Sequence, residues 1–156
     1  MNAKLQPRGN EQEISAQIQR LMELYRHLNA NNLELLDDVY SNDVVFCDPV
    51  HRIEGLVALK TYFVQMYQDL RSINFTFHQV MDDGQHAMLV WTMAFSHPKL
   101  ASGKLIRVDG VSQIAYDQQI EFHRDFFDLG AMVYEHIPGL GALLRLLKRR
   151  IGQGQG

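Results

Sequence analysis

Asp48 stands between a short apolar stretch, Val44–Val45–Phe46–Cys47, and Pro49, which fixes a turn directly behind it. A carboxylate at the end of a strand, with Phe46 and Val50 as neighbours, loses hydration, and lost hydration raises the affinity of a carboxylate for a proton. Such a group is a candidate general base; an Asp-Pro turn with a purely local role is the competing reading. His51, three residues on, reaches the same turn. A second set lies near the end of the chain. His123 and Asp125 are two residues apart in a strand-like segment, so both point to one face together with Phe127, while Arg124, Phe126 and Asp128 point to the other. An imidazole and a carboxylate on one wall can share a proton or orient a water. Arg107 and Asp109 also share a face, and a charge pair of that kind reads first as an outer-surface ion pair. The seven histidines are scattered with no ligand spacing and there is one cysteine, Cys47, so neither a metal nor a cofactor is expected.

Elements that could position these groups follow from periodicity. Over 12–28 the apolar residues Ile14, Ile18, Leu21, Met22, Tyr25 and Leu28 form a helical face. Asn29, Asn31 and Asn32 break it, and a short helix follows on Leu33, Leu36, Val39 and Tyr40. A strand is predicted over 44–47 and a helix over 55–70, with Leu56, Leu59, Phe63, Met66 and Leu70 on one side. The period then changes to two. Ile73, Phe75 and Phe77 alternate with polar residues, Asp82–Asp83–Gly84 is a hairpin signal, and further strands are predicted over 85–97, 105–116 and 120–128. Residues 130–151 read as helix in two pieces divided at Pro138–Gly139, with Asp128 as an N-cap. Helices followed by a run of strands indicate an α+β fold: a strongly curved antiparallel sheet wrapped around three N-terminal helices as a cone, plus a C-terminal helix. The expected organisation is a flexible tail at 1–11, the cone at 12–137, an amphipathic helix at 138–151 and a flexible end at 152–156.

This element order and two segments of sequence resemble the nuclear-transport-factor-2-like superfamily in its SnoaL-like branch, which includes ketosteroid isomerases, limonene-epoxide hydrolases and polyketide cyclases. One segment runs from Leu33–Glu34–Leu35–Leu36 through Asn42–Asp43–Val44–Val45–Phe46–Cys47–Asp48–Pro49 to Gly55; the other runs from Val108–Asp109–Gly110–Val111 through His123–Arg124–Asp125–Phe126–Phe127–Asp128. The resemblance covers about residues 12–135. It implies a general-base role for Asp48 and an oxyanion donor on the first helix, where Tyr25 falls beside the place that gap-free alignment gives to Leu24. At the isomerase's second oxyanion donor this sequence has Ser112. Asp125 matches the terminal catalytic aspartate of the epoxide hydrolases, whose Arg-x-Asp pair is missing from the Trp91–Met93 stretch; Arg107–Val108–Asp109 has those letters one strand later. Neither catalytic set is complete.

The candidate catalytic residues are therefore Asp48, His123, Asp125 and Tyr25, and the candidate pocket residues are Phe46, Phe63, Trp91, Val108, Gly110, Ser112 and Phe127. The implied ligand is a small apolar molecule, and the implied chemistry is isomerase, cyclase or hydrolase work by side chains alone, with a non-catalytic binding or scaffold module of the same fold as the alternative. Composition narrows the rest. At 156 residues, 46% hydrophobic and 21% charged, this is an ordinary globular chain of about one domain. A net charge of −3 argues against a nucleic-acid partner. The polar start suggests no leader peptide, no apolar run approaches bilayer length, and the single cysteine suits a reducing cytoplasm, so a membrane partner is not expected. The basic end of the last helix, at Arg145, Lys148, Arg149 and Arg150, reads first as a complement to the helix dipole, with a membrane-surface or anionic-partner role as the alternative; its leucine face can otherwise fold over the pocket entrance or bind a second subunit. Strands apolar on both faces leave an outer sheet face to cover, which predicts a homodimer.

Overall fold

The computed structural model describes residues 13–133 and 140–152. The expected tail at 1–11, the dividing Pro138–Gly139 and the end beyond Gly152 lie outside the described residues. Ser15 caps the first helix, α1 (Ala16–His27), its hydroxyl accepting from the Ile18 amide, and Ile18, Leu21, Leu24 and Tyr25 form the buried face. The asparagine turn is closed by its own side chains, since the Asn29 amide donates to Asn32 and the Asn31 amide to Asn29. A 3-10 turn at Leu33–Leu35 runs into a single helical turn, α2 (Leu36–Val39).

The helix predicted through Tyr40 ends one residue earlier, because Tyr40 is the first residue of strand β1 (Tyr40–Cys47) and pairs with Ile120. A short strand, β2 (Arg52–Glu54), was not legible: three half-exposed or exposed residues carry no alternation to detect. Gly55 then turns with φ of +89°, a left-handed value that glycine adopts freely, into α3 (Leu56–Tyr67). Strands β3 (Ser72–Asp82), β4 (His86–Ser96), β5 (Ile106–Tyr116) and β6 (Ile120–Phe127) follow, then α4 (Leu129–Met132), capped by Asp128, and α5 (Leu140–Gly152).

The six strands form one sheet in the order β2-β1-β6-β5-β4-β3. The meander β3–β6 is antiparallel throughout, as is β1 with β2, but β1 lies parallel to β6, with Phe46 opposite His123 and Cys47 opposite Arg124. The sheet is therefore mixed rather than wholly antiparallel. Its inner face carries Leu89, Trp91, Met93 and Phe95 of β4 and Ile106, Val108 and Ile114 of β5, packed with α1 and α3 residues such as Leu21, Leu59 and Phe63. In β3 the inward positions shift at a bulge between Phe77 and Gln79, so that Val80 and Asp82 replace the expected continuation of the Ile73–Phe75–Phe77 series. There Asp82 accepts from the Tyr116 hydroxyl and from the Ser15 amide, fastening the start of α1 to the sheet.

Trp91 lies directly across the ladder from Gly110, and a β-carbon on residue 110 would fall inside the indole ring. Glycine is required there because the ring occupies the space a side chain would take. Gly110→Ala is expected to force the indole aside and to lower unfolding stability by about 1–3 kcal/mol. Trp91 is the only tryptophan, so denaturation followed by its fluorescence checks both effects.

Candidate functional site

His123 is 2% exposed, and an imidazole so deeply buried must find partners for both ring nitrogens. Strand β6 aims it into the core, where it packs against Phe46, Tyr25 and Tyr40. The Tyr40 hydroxyl lies 2.7 Å from Nδ1, and the Tyr25 hydroxyl lies 2.9 Å from that of Tyr40. On the other side Nε2 lies 2.8 Å from Oδ1 of Asp125. The same carboxylate oxygen accepts from the Ser112 hydroxyl at 2.5 Å, and Ser112 in turn accepts from the Trp91 indole N–H at 2.8 Å.

The direction of this chain follows from its members. Trp91 can only donate, so the Ser112 hydroxyl proton goes to Asp125. Burial pushes the phenols of Tyr25 and Tyr40 well above their usual range, so both keep their protons. With His123 neutral, Nε2 carries the hydrogen donated to Asp125, and Nδ1 accepts from Tyr40, which accepts from Tyr25. Two arms, Tyr25–Tyr40–His123 and Trp91–Ser112, thus converge on one oxygen of Asp125. No hydrogen bond from a described residue reaches the other oxygen, and Asp125 lines a cavity of about 390 Å³.

That cavity is walled by rings and aliphatic side chains, among them Tyr25, Phe46, Phe63, Phe75, Trp91 and Phe127, and extends to Leu129 and Met132 of α4. No lysine or arginine is among its described lining residues. Of the seven expected pocket residues, Phe46, Phe63, Trp91 and Phe127 line it. Val108, Gly110 and Ser112 do not. All three face inward, but Val108 is sealed in the core, Trp91 fills the space over Gly110, and Ser112 is tied beneath Trp91 and Asp125.

Asp48 also lines the cavity, but its two oxygens are occupied. Oδ1 accepts from the amides of Val50 and His51, both at 2.7 Å, and Oδ2 accepts from the Tyr62 hydroxyl at 2.6 Å, with the His51 ring 3.0 Å away. Burial alone would push this carboxyl up; the donors from Tyr62, Val50 and His51 outweigh it and hold Asp48 below the usual carboxylate range. A carboxylate so fully engaged is a weak base and a strong turn anchor. Nor does Asp48 face Asp125 from an opposite wall: it immediately follows β1, the parallel neighbour of the strand that carries Asp125. Arg107 and Asp109 lie exposed on the outer sheet face, where Asp109 accepts from Thr92.

Tyr40 and Tyr62 were missed as site residues. Tyr40 had been absorbed into a helix stripe; a tyrosine buried with its hydroxyl intact needs a partner, and that was the available signal. Tyr62 adjoins Phe63 on α3, one position off the apolar stripe, and nothing in sequence ties it to Asp48. No group of three or more metal-ligating side chains occurs among the described residues.

Comparison with known proteins sets this geometry in context. The profile of a SnoaL-like domain matches residues 21–120. No curated protein matches the chain. Among solved structures, a candidate SnoaL-like polyketide cyclase from Jannaschia sp. CCS1 superposes with a TM-score of 0.67 at 14% identity, covering 78% of this chain and 94% of that one. A hypothetical protein with a ketosteroid isomerase-like fold from Catenulispora acidiphila, in complex with trimethylamine, gives 0.68 at 10% identity, covering 80% of this chain and 93% of that one. TerC co-crystallised with polyporic acid gives 0.65 at 16% identity, covering 76% and 95%. At these identities the likeness is one of fold.

The bonding of Asp48 makes a prediction about stability. Its carboxyl is lowered relative to the unfolded value near 3.8, so its stabilisation is complete above that pH and is lost as pH falls through the lower folded value. Asp48→Asn is expected to lower unfolding stability at pH 7 by about 1–2 kcal/mol, the difference shrinking below pH 3 to 4 as the native carboxyl protonates. Paired melting curves at both pH values check this.

Proposed function

Because the chain belongs to the SnoaL-like domain family, whose fold surrounds a cavity, we propose that it takes up a small apolar molecule there and moves a proton on it with Asp125. The observation that carries this reading is the convergence of Ser112 and His123 on one oxygen of Asp125, which fixes the carboxylate while no described residue hydrogen-bonds its other oxygen at a ring-lined cavity. Two protein donors hold the group in one orientation, and the unengaged oxygen can accept a proton from a bound molecule. Tyr25 lies on the same lining, but its one hydroxyl proton is given to Tyr40, so it supports the chain behind Asp125 rather than donating to the bound molecule. The class is an apolar carbonyl compound with an acidic C–H bond: apolar because the lining is, and uncharged because no described cation awaits an acidic group. The two neighbours crystallised with trimethylamine and polyporic acid support a small-molecule role for the fold. Proton transfer of this kind is the common first step of isomerase and cyclase chemistry and needs no cofactor.

Trp91 supplies the assay, being the sole tryptophan and part of the lining. 2-Tetralone, a bicyclic ketone with acidic α-hydrogens, is expected to quench Trp91 fluorescence and to exchange its α-hydrogens in D2O faster with protein than in buffer. Asp125→Asn, which can still accept from Ser112 and His123, should retain quenching and lose exchange by roughly 10²–10⁴-fold, while Asp48→Asn keeps most of it. Exchange that survives Asp125→Asn would refute the assignment. Quenching without any exchange in the wild-type protein would favour the alternative, a binding module that performs no chemistry.

The homodimer belongs to this proposal as well. Phe126 and Met81 are each about half exposed on the outer sheet face, and Met88, Val90 and Val111 are only partly covered there. A second copy of the same face would remove this surface from water. Light scattering is expected to give twice the chain mass, and Phe126→Asp to return it to one; a wild-type mass of one chain would refute it. Cys47 is buried and free, in keeping with a reducing compartment.

A further inference from the structure

Helix α5 carries charge of one sign and a leucine stripe on the same short segment. Four of the 15 lysines and arginines fall in its 13 residues, and none of the 18 acidic residues does; beyond Glu135 the sequence has no Asp or Glu at all. Leu140, Leu143, Leu144, Leu147 and Ile151 recur at three- and four-residue spacing, which sets them on one stripe of a helix. Of those whose side chains the structure describes, Leu140, Leu143 and Leu147 are 40%, 53% and 45% exposed, while Leu146, 48% exposed, falls off the stripe on the basic side. At 3.6 residues per turn, positions 148 and 150 fall on the two flanks of the stripe and positions 145 and 149 opposite it.

We infer that α5 is an interfacial anchor that lays its leucine stripe into the surface of a membrane rich in anionic lipid. The occupant follows from two requirements on the page. An exposed leucine stripe needs an apolar phase, and a purely cationic border needs a dense, laterally extended negative charge. Lysine and arginine on the flanks of such a stripe can extend their stems along the acyl boundary and place their charges among headgroups. The rest of the chain carries an acidic excess, so attraction to an anionic surface is confined to this helix and orients the protein on it. No described helix is long and apolar enough to cross a membrane, and an interfacial helix does not need to be.

The test is sedimentation of the full-length protein with vesicles of phosphatidylcholine alone and of phosphatidylcholine with an equal part of phosphatidylglycerol. Binding is expected to the anionic vesicles, to weaken as salt is raised, and to be at least tenfold weaker on neutral ones. Lys148→Glu with Arg149→Glu should lower partitioning roughly 25-fold or more, at about fivefold for each basic residue removed. Leu143→Asp with Leu147→Asp should abolish it. Unchanged Trp91 fluorescence and melting temperature show that the variants keep their fold. Hydrogen exchange on bound vesicles gives an independent reading, with new protection expected in 140–152. Failure of the wild-type protein to bind anionic vesicles, equal binding by the charge-reversed variant, or protection only outside α5 overturns the inference. So does a leucine variant that converts a dimer to a monomer, since the stripe would then be covered by a second copy.

Discussion

A carboxylate and an imidazole taken out of water together must be satisfied together, and the arrangement around His123 and Asp125 is the constraint on which the rest of this structure turns. Each partner that meets it comes from a different element. Tyr25 comes from α1, Tyr40 from the start of β1, Trp91 from β4 and Ser112 from β5, while β6 supplies the pair itself. Removing any one would leave a buried donor or acceptor unmatched, at a cost of about 1–3 kcal/mol. The hydrogen-bonded chain therefore couples α1 to the sheet in register as well as orienting one carboxylate.

Parallel pairing of β1 with β6 is what makes this possible. It sets Phe46 opposite His123 and Tyr40 opposite Ile120, so the phenol of Tyr40 reaches Nδ1 from the strand next door. The same pairing places Asp48, just past the end of β1, beside the strand that carries Asp125. Two carboxylates near one cavity would compete for protons if both were unengaged. The turn donors and Tyr62 keep Asp48 ionised and occupied, which leaves Asp125 as the carboxylate for the proposed proton transfer. Gly110 serves the same end at one remove, since the space it leaves lets Trp91 reach Ser112.

Much of this was legible in the residues, and the limits were physical. Alternation in β5 and β6 gave the inward faces, so His123, Asp125 and Phe127 share a wall as read, whereas β4 is apolar on both faces and its inward side was not legible. Facing inward is not the same as touching a cavity, however. Val108, Gly110 and Ser112 face the interior and are covered, and which side chain covers which depends on ring sizes on neighbouring strands. The parallel register joins residues 77 to 80 apart in the chain and the Tyr40 contact residues 83 apart, where local periodicity carries no signal. Asp48 was read from its apolar neighbours, but a carboxylate's basicity is set by its donors, and those are two backbone amides of its own turn and a tyrosine 14 residues away. The leucine and arginine pattern of α5 was plain in sequence; its exposure was not.

The central claim is that the buried donor chain holds His123 in one neutral tautomer, with its proton on Nε2 and aimed at Asp125. Nitrogen-15 NMR of the histidine rings reads this directly. At neutral pH the account predicts that His123 shows a protonated Nε2 and a bare, hydrogen-bonded Nδ1, and that Tyr40→Phe shifts the Nδ1 resonance while Nε2 stays protonated. A His123 ring with its proton on Nδ1, or one whose tautomers interconvert as in free imidazole, would contradict it.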